Sequence, residues 1–278
     1  MFRITRREFL GSTASVAAVG LSEIELSAAN AAGPYGDLRM GIQSYSLRHF
    51  SFAEAIERVE RLGLQHVELY PGHLDHGKVS TRELSDAKKT MRDHGIEPDA
   101  YGVTGFTADE AAARKVFEFA KALGLRSISA DPKPDSFDVL DRLVEEYGIP
   151  IAIHNHGPHH HWGKPETILE AVKDHHKLIG LCADTGHFLR ADVDPVKAIK
   201  MLRGRVYGLH LKDFVSEDTE VIAGDGKLDL AALFEEMHNQ NFNGACSIEF
   251  ELNPEDPLAG IQAGLSNMRK AAASLGLS

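Results

Sequence analysis

Ile151-Ala152-Ile153-His154-Asn155-His156 and Ile179-Gly180-Leu181-Cys182-Ala183-Asp184 are two short apolar runs, each ending in groups that bind protons or metals. Between them lies an amphipathic stretch, Pro165–Asp174, with the spacing of a helix. A buried strand, a helix and a second buried strand make a parallel crossover unit. The pattern extends in both directions. Upstream, strand candidates at Met40–Ser46, His66–Tyr70, Glu97–Val103 and Arg126–Ala130 alternate with helix candidates at Phe52–Leu62, Thr81–His94, Ala108–Leu123 and Phe137–Tyr147. Downstream, a helix at Pro195–Leu202, a strand at Val206–Lys212, a helix at Leu230–Asn239, a strand at Ala245–Phe250 and a helix at Pro257–Ala273 continue it. With Pro150–Asn155 and Ile179–Ala183, that makes eight strand–helix pairs. Eight such units predict an α/β fold of the closed (β/α)8 TIM barrel type. Gly63, Gly95, Gly124, Gly148 and Gly244 stand just ahead of strands, where helix C-caps belong. An open doubly wound sheet is the alternative, but no G-x-G-x-x-G follows the first strand.

The chain has 278 residues, 43% hydrophobic and 26% charged, as expected of a soluble globular protein. Its formal charge of −11 argues against a nucleic-acid partner, whose phosphates demand a basic face. Fifteen histidines invite a search for a metal site. The two cysteines, Cys182 and Cys246, fall in apolar runs and read as small buried residues, with a bridge between them as the other reading.

The N-terminus carries Thr5-Arg6-Arg7-Glu8-Phe9-Leu10-Gly11, a small-residue apolar run over Ser12–Leu21, and Ser27-Ala28-Ala29-Asn30-Ala31-Ala32. This order predicts a twin-arginine export signal over residues 1–32, cut near Ala31 or Ala32, ahead of a barrel domain at 38–278. The protein is then expected in the periplasm or another extracytoplasmic space. The apolar run is too short for a stable membrane anchor. A short amphipathic helix of the barrel domain is the alternative.

Active sites of such barrels lie at the C-terminal ends of the strands. The candidate exits carry Glu68-Leu69-Tyr70, His154-Asn155-His156, Asp184-Thr185-Gly186-His187, His210-Leu211-Lys212-Asp213 and Glu249-Phe250-Glu251. Carboxylates and imidazoles converging from successive buried strand ends are costly to leave unpaired, and one cation bound by mixed N and O ligands resolves that cost. Each group also has a plain structural reading. His154 can be a satisfied core histidine and Asp184 an N-cap. His210 can pair with a carboxylate, Glu249 with Lys212, and Glu68 with Arg48. His159-His160-His161 can be solvated loop residues, and Trp162 either a platform for a sugar ring or a loop anchor.

On the motifs His154-Asn155-His156-Gly157, Asp184-Thr185-Gly186-His187, His210-Leu211-Lys212-Asp213, Gly224-Asp225-Gly226-Lys227-Leu228-Asp229 and Ser247-Ile248-Glu249, the chain resembles the xylose-isomerase-like TIM-barrel superfamily of sugar isomerases and epimerases. The resemblance runs from about Arg39 to the C-terminus. It implies one divalent ion (Mn, Co, Mg or Zn) held by His154, Asp184, His210 and Glu249, with His187 against the substrate. Epimerases of the group usually place a Glu at the strand-five ligand position, where this chain has His154.

The resemblance implies a metal-dependent isomerase or epimerase of a small carbohydrate that abstracts a proton beside a carbonyl through an enediolate. Glu249, His187, Glu68 and Lys212 are then the catalytic candidates, and His156, Trp162 and Glu251 the substrate contacts. A 3-keto-glycoside lyase or hydratase using the same chemistry is the first alternative, suited to an exported protein and to the missing Glu. A non-catalytic periplasmic carbohydrate-binding barrel is the second. Homo-oligomerisation is left open.

Overall fold

The computed structural model describes residues 33–277. The expected export signal lies outside the described residues.

Eight parallel strands close into a barrel: β1 (Met40–Gln43), β2 (His66–Leu69), β3 (Glu97–Phe106), β4 (Ser127–Pro132), β5 (Ile151–His154), β6 (Ile179–Asp184), β7 (Val206–Leu211) and β8 (Ala245–Ile248), with β8 pairing β1. Helices α1 (Phe52–Arg61), α2 (Thr81–Asp93), α3 (Glu110–Leu123), α4 (Phe137–Tyr147), α5 (Pro165–Val172), α6 (Thr185–Arg190), α7 (Pro195–Met201), α8 (Leu230–Asn239) and α9 (Leu258–Ser274) follow the strands around the outside. Polar exits and apolar strand bodies decide this arrangement. Ile56, Val59, Leu143, Ile168, Leu233 and Ile261 bury the helices' inner faces against the strands. Ser51 with Glu54 and Ser80 with Glu83 form capping boxes that start α1 and α2.

The strand–helix alternation agrees with the sequence pattern, and the differences lie at the barrel mouth. β1 stops at Gln43, and Ser44–Leu47 turns into a 3-10 segment, because Gln43 Oε1 accepts the Tyr45 N–H. The Ser44 and Ser46 hydroxyls then accept the N–H groups of Tyr70 and Phe250, tying the exits of β2 and β8 to that of β1. β3 runs on to Phe106 with a register shift between Tyr101 and Thr104. Asp184 starts the short α6, and a hairpin of Asp213–Ser216 and Thr219–Val221 follows β7. The strand Pro34–Asp37 precedes β1 and packs on α9 through buried Tyr35, so the barrel unit begins ahead of the expected residue 38. Gly63, Gly95, Gly124 and Gly148 have left-handed backbone at helix ends, as expected. Gly244 does not. There a Cβ would lie 2.4 Å from the Tyr207 carbonyl oxygen, so close chain approach demands the glycine.

Register sets the level of the site. Gln43 pairs with Glu68, Asp184 with His210, and His210 with Ser247. Beside this layer, Asp213 is fully buried, and its carboxylate accepts the N–H groups of Phe214, Gly224, Gly226 and Leu228. It thereby fastens the hairpin and the Gly224–Asp229 turn to the end of β7. Asp213→Ala would strand four backbone donors, and the cost expected is at least about 3 kcal/mol, read as a lowered urea midpoint with unchanged slope.

Candidate metal centre

His154 ends β5, Asp184 ends β6, His210 lies one residue before the end of β7, and Glu249 follows β8. One ligand atom from each lies within 4.8 Å of the others, and all four residues are buried. His154 Nε2 is 3.0 Å from His210 Nδ1 and 3.5 Å from Asp184 Oδ2. Glu249 Oε2 is 2.9 Å from the same His210 Nδ1 yet completes no hydrogen bond. Two partners thus compete for one ring nitrogen. Asp184 serves both of its readings. Its Oδ1 caps α6 through the His187 N–H at 2.7 Å, while Oδ2 faces the cluster with no hydrogen-bond partner.

Glu68 and Lys212 support this group from below and beside it. His210 Nε2 donates to Glu68 Oε2 at 2.9 Å, which leaves Nδ1 free to ligate. Lys212 Nζ lies 3.6 Å from Asp184 Oδ2, 3.3 Å from Glu249 Oε1 and 2.5 Å from Glu251 Oε1. Burial opposes ionisation of Asp184 and Glu249, but the His187 imidazole and the Lys212 ammonium beside the first, and Lys212 and His210 beside the second, hold both carboxyls below their usual range. Burial likewise opposes a charge on Lys212, and Glu249, Asp184 and Glu251 keep it protonated. Asp184, Glu249 and Glu251 thus face the Lys212 ammonium, and Glu68 faces His210, so carboxylates outnumber the cations that hold them. Burial also opposes a charge on His210, yet the Cys182 sulfur and the carboxylates of Glu68 and Glu249 hold its pKa well above the usual histidine value. A proton is thus drawn to the place where the competing lone pairs would ligate a cation. The donor set, two imidazoles and two carboxylates with unpartnered atoms among them, fits such an ion.

A cavity of about 280 Å³ opens over the cluster, lined on this side by His154, His156, His187, His210, Glu249 and Glu251. The rest of the lining, Gln43 and Tyr45 at the exit of β1, Tyr70 after β2, and Gly102 and Val103 in β3, escaped sequence reasoning, although Tyr45 and Tyr70 stand at strand exits like the rest. Their rings meet edge to face at 5.0 Å, and the Arg48 guanidinium covers Tyr45 at 4.5 Å. Burial, with His154 and His187 adding to it, pushes His156 down to about 3, and burial pushes His187 down to about 4. His156 and His187 are therefore neutral. Other hollows, such as one of about 580 Å³ between the 71–79 loop and α2, gather no buried titratable groups.

Three sequence expectations need correction. Glu68 cannot exchange protons with a substrate, because it is 1% exposed beneath His210 and off the cavity wall. Nor does it pair with Arg48, which donates to the carbonyls of Tyr45 and Glu251. Trp162 offers no platform to a sugar. It is 1% exposed, donates Nε1–H to the Pro132 carbonyl and packs on Phe137, as a loop anchor does. Lys212 is also off the cavity wall, with its ammonium engaged by carboxylates, so it balances the cluster's charge rather than meeting a substrate oxyanion. Of the histidine run, His160 accepts the Trp162 N–H and faces Asp131 at 3.5 Å. Cys182 and Cys246 are both buried and free. No helix among the described residues is long and apolar enough to cross a membrane.

Comparison with known proteins agrees with the fold. The profile of the xylose isomerase-like TIM barrel matches residues 56–271. An inosose dehydratase of Mesomycoplasma hyopneumoniae is 24% identical over 274 residues, covering 79% of this chain and 88% of that protein. An inosose dehydratase of Clostridium beijerinckii is 24% identical over 143 residues, and the chain spans only 46% of that relative's length. A structure of an uncharacterised protein from Parabacteroides distasonis superposes with a TM-score of 0.68 at 27% identity, over 84% of this chain and 99% of that one.

Glu68→Gln keeps all four inner-cluster ligands but weakens the partner of His210, so divalent-metal affinity is expected to fall about 10–100-fold, read by isothermal titration. Asp184→Asn is expected to abolish binding while the far-ultraviolet circular dichroism stays unchanged. Because His210 holds a proton in the ion-free protein, binding at neutral pH should release about one proton and weaken as pH falls. Titrations in buffers of different ionisation enthalpy count that proton.

Proposed function

This chain belongs to the xylose isomerase-like TIM barrel family, and we propose that within it the protein is a metal-dependent lyase of a keto-sugar or cyclic keto-polyol. The observation that carries the proposal is the one-sidedness of the cavity. The only carboxylates in its lining, Glu249 and Glu251, both stand at the exit of β8, while Gln43 and Tyr45 on the neighbouring β1 exit and Tyr70 after β2 supply none. Epimerisation by two carboxylate bases needs one on each face of the substrate. Elimination needs one base and a departing group. The inosose dehydratases that the chain resembles carry elimination in their name.

A divalent ion at His154, Asp184, His210 and Glu249 would draw electron density from the substrate carbonyl and so acidify the neighbouring C–H. The chain's own groups do the rest. Glu249 Oε1, 3.3 Å from Lys212 Nζ, accepts the proton beside the carbonyl. The electron pair of the broken C–H bond forms a C=C bond as the β C–O bond breaks. The departing oxygen takes up the proton and leaves as water or an alcohol. His187, His156 and Glu251 contact the substrate's polar edge, and the Tyr45–Tyr70 wall takes its apolar face.

Incubation of metal-loaded protein with 3-keto-glucosides and keto-inositols, followed by NMR, tests this reading. Release of water or an aglycone with an unsaturated ketone is the expected outcome. Exchange of a substrate proton with solvent, with all substituents kept, would instead establish an isomerase or epimerase. Binding without turnover would leave a carbohydrate-binding barrel. His187→Ala should keep the metal and lose turnover at least 100-fold.

We further propose that the protein works outside the cytoplasm, on the strength of Arg6-Arg7 ahead of Phe9-Leu10 and the small-residue run behind them. Changing both arginines to lysine should leave precursor in the cytoplasmic fraction, and unchanged export would refute the twin-arginine route.

A further inference from the structure

Arg190 ends α6, one turn beyond His187, and its side chain turns back toward the mouth. Its Nη1 lies 3.1 Å from His187 Nδ1, and its Nε donates to the Glu217 carbonyl at the hairpin tip at 2.8 Å. The guanidinium carbon sits 5.5 Å from the Phe214 ring centre. Gly157 packs alongside it, where a Cβ would rest in ordinary contact with the guanidinium at 3.5 Å. Three segments of the mouth thus fix the guanidinium in place.

A guanidinium has hydrogen-bond donors only, and it stays charged at any working pH. A ring nitrogen facing it at hydrogen-bond distance must therefore accept. His187 Nδ1 is then bare, and the ring's single proton sits on Nε2. That nitrogen lies 4.0 Å from Asp184 Oδ2, on the cavity side, where His187 forms part of the wall.

We propose that Arg190 is a positioning residue that locks His187 as the neutral Nε2–H tautomer, so that His187 serves the reaction as a hydrogen-bond donor to a substrate oxygen and never as the base. A neutral imidazole held this way stabilises an oxygen that gains negative charge, without taking a proton from carbon. The role of His187, a catalytic candidate from the sequence, narrows to that of a donor. The substrate must then present an acceptor oxygen to His187, and the proton beside the carbonyl must go to a carboxylate. The tautomer follows from geometry alone, while its catalytic meaning rests on the reaction proposed above.

The test is long-range proton–nitrogen NMR of the full chain labelled with nitrogen-15, loaded with diamagnetic Mg²⁺, with His187 assigned from its loss in His187→Gln. The expected spectrum has an unprotonated Nδ1 and a protonated Nε2. In Arg190→Met the ring should become a mixture of tautomers, whereas Arg190→Lys, which also supplies only donors, should restore the wild-type pattern. Where substrate is turned over, Arg190→Met should lower kcat at least tenfold and leave KM within twofold. A proton on Nδ1 in the wild type, or an unchanged ring in Arg190→Met, overturns the proposal. Expected ring shifts with no turnover of any keto-sugar would overturn the assigned reaction and leave the lock standing.

Discussion

Three carboxylates and one lysine are buried together at the mouth of the barrel, and the excess of negative charge there governs the rest of the site. An isolated carboxylate in a dry interior is too expensive to keep ionised. This one group of residues keeps three ionised by closing ranks around Lys212 and His210. Even so, Asp184 Oδ2, Glu249 Oε2 and Glu68 Oε1 are left without hydrogen-bond partners. Such atoms are rare in folded proteins and gather where something else is meant to bind. The barrel sustains the arrangement because its apolar layer is complete without it.

The fold was legible because period and length both pointed one way. Apolar runs, seven of them four to six residues long as strands, alternate with amphipathic ones eight times, and the missing G-x-G-x-x-G told against the doubly wound alternative. What stayed illegible was set by side chains rather than by periodicity. The break after Gln43 depends on its own side chain and on two serine hydroxyls that serve distant strands. The hairpin after β7 depends on Asp213, a carboxylate that looks like any other in the sequence but collects four backbone donors in the structure. Neither leaves a periodic trace.

The site was legible in part for the same reason. Strand exits can be read off a sequence, so the four residues of the inner cluster stood among the exit candidates, and the family resemblance picked them out together. Depth cannot. Glu68 near the end of β2 and Lys212 just past His210 at the end of β7 read like cluster residues yet sit beneath and beside them, and Trp162 lies close to the mouth with its ring turned into the protein. Tyr45 was hidden by the early end of β1, which places it on the cavity wall instead of within a strand. The plain and the functional readings of a residue also proved compatible. Asp184 caps a helix with one oxygen and offers the other to the cluster.

Trp162 is the only tryptophan in the chain, and it is sealed between the end of β4 and the start of α4. The histidine loop that carries it runs directly to His156 on the cavity wall. The protein therefore has a single indole, buried one loop away from its chemistry. Its emission, excited at the red edge of its absorption where the six tyrosines do not absorb, reports on the rim of the cavity.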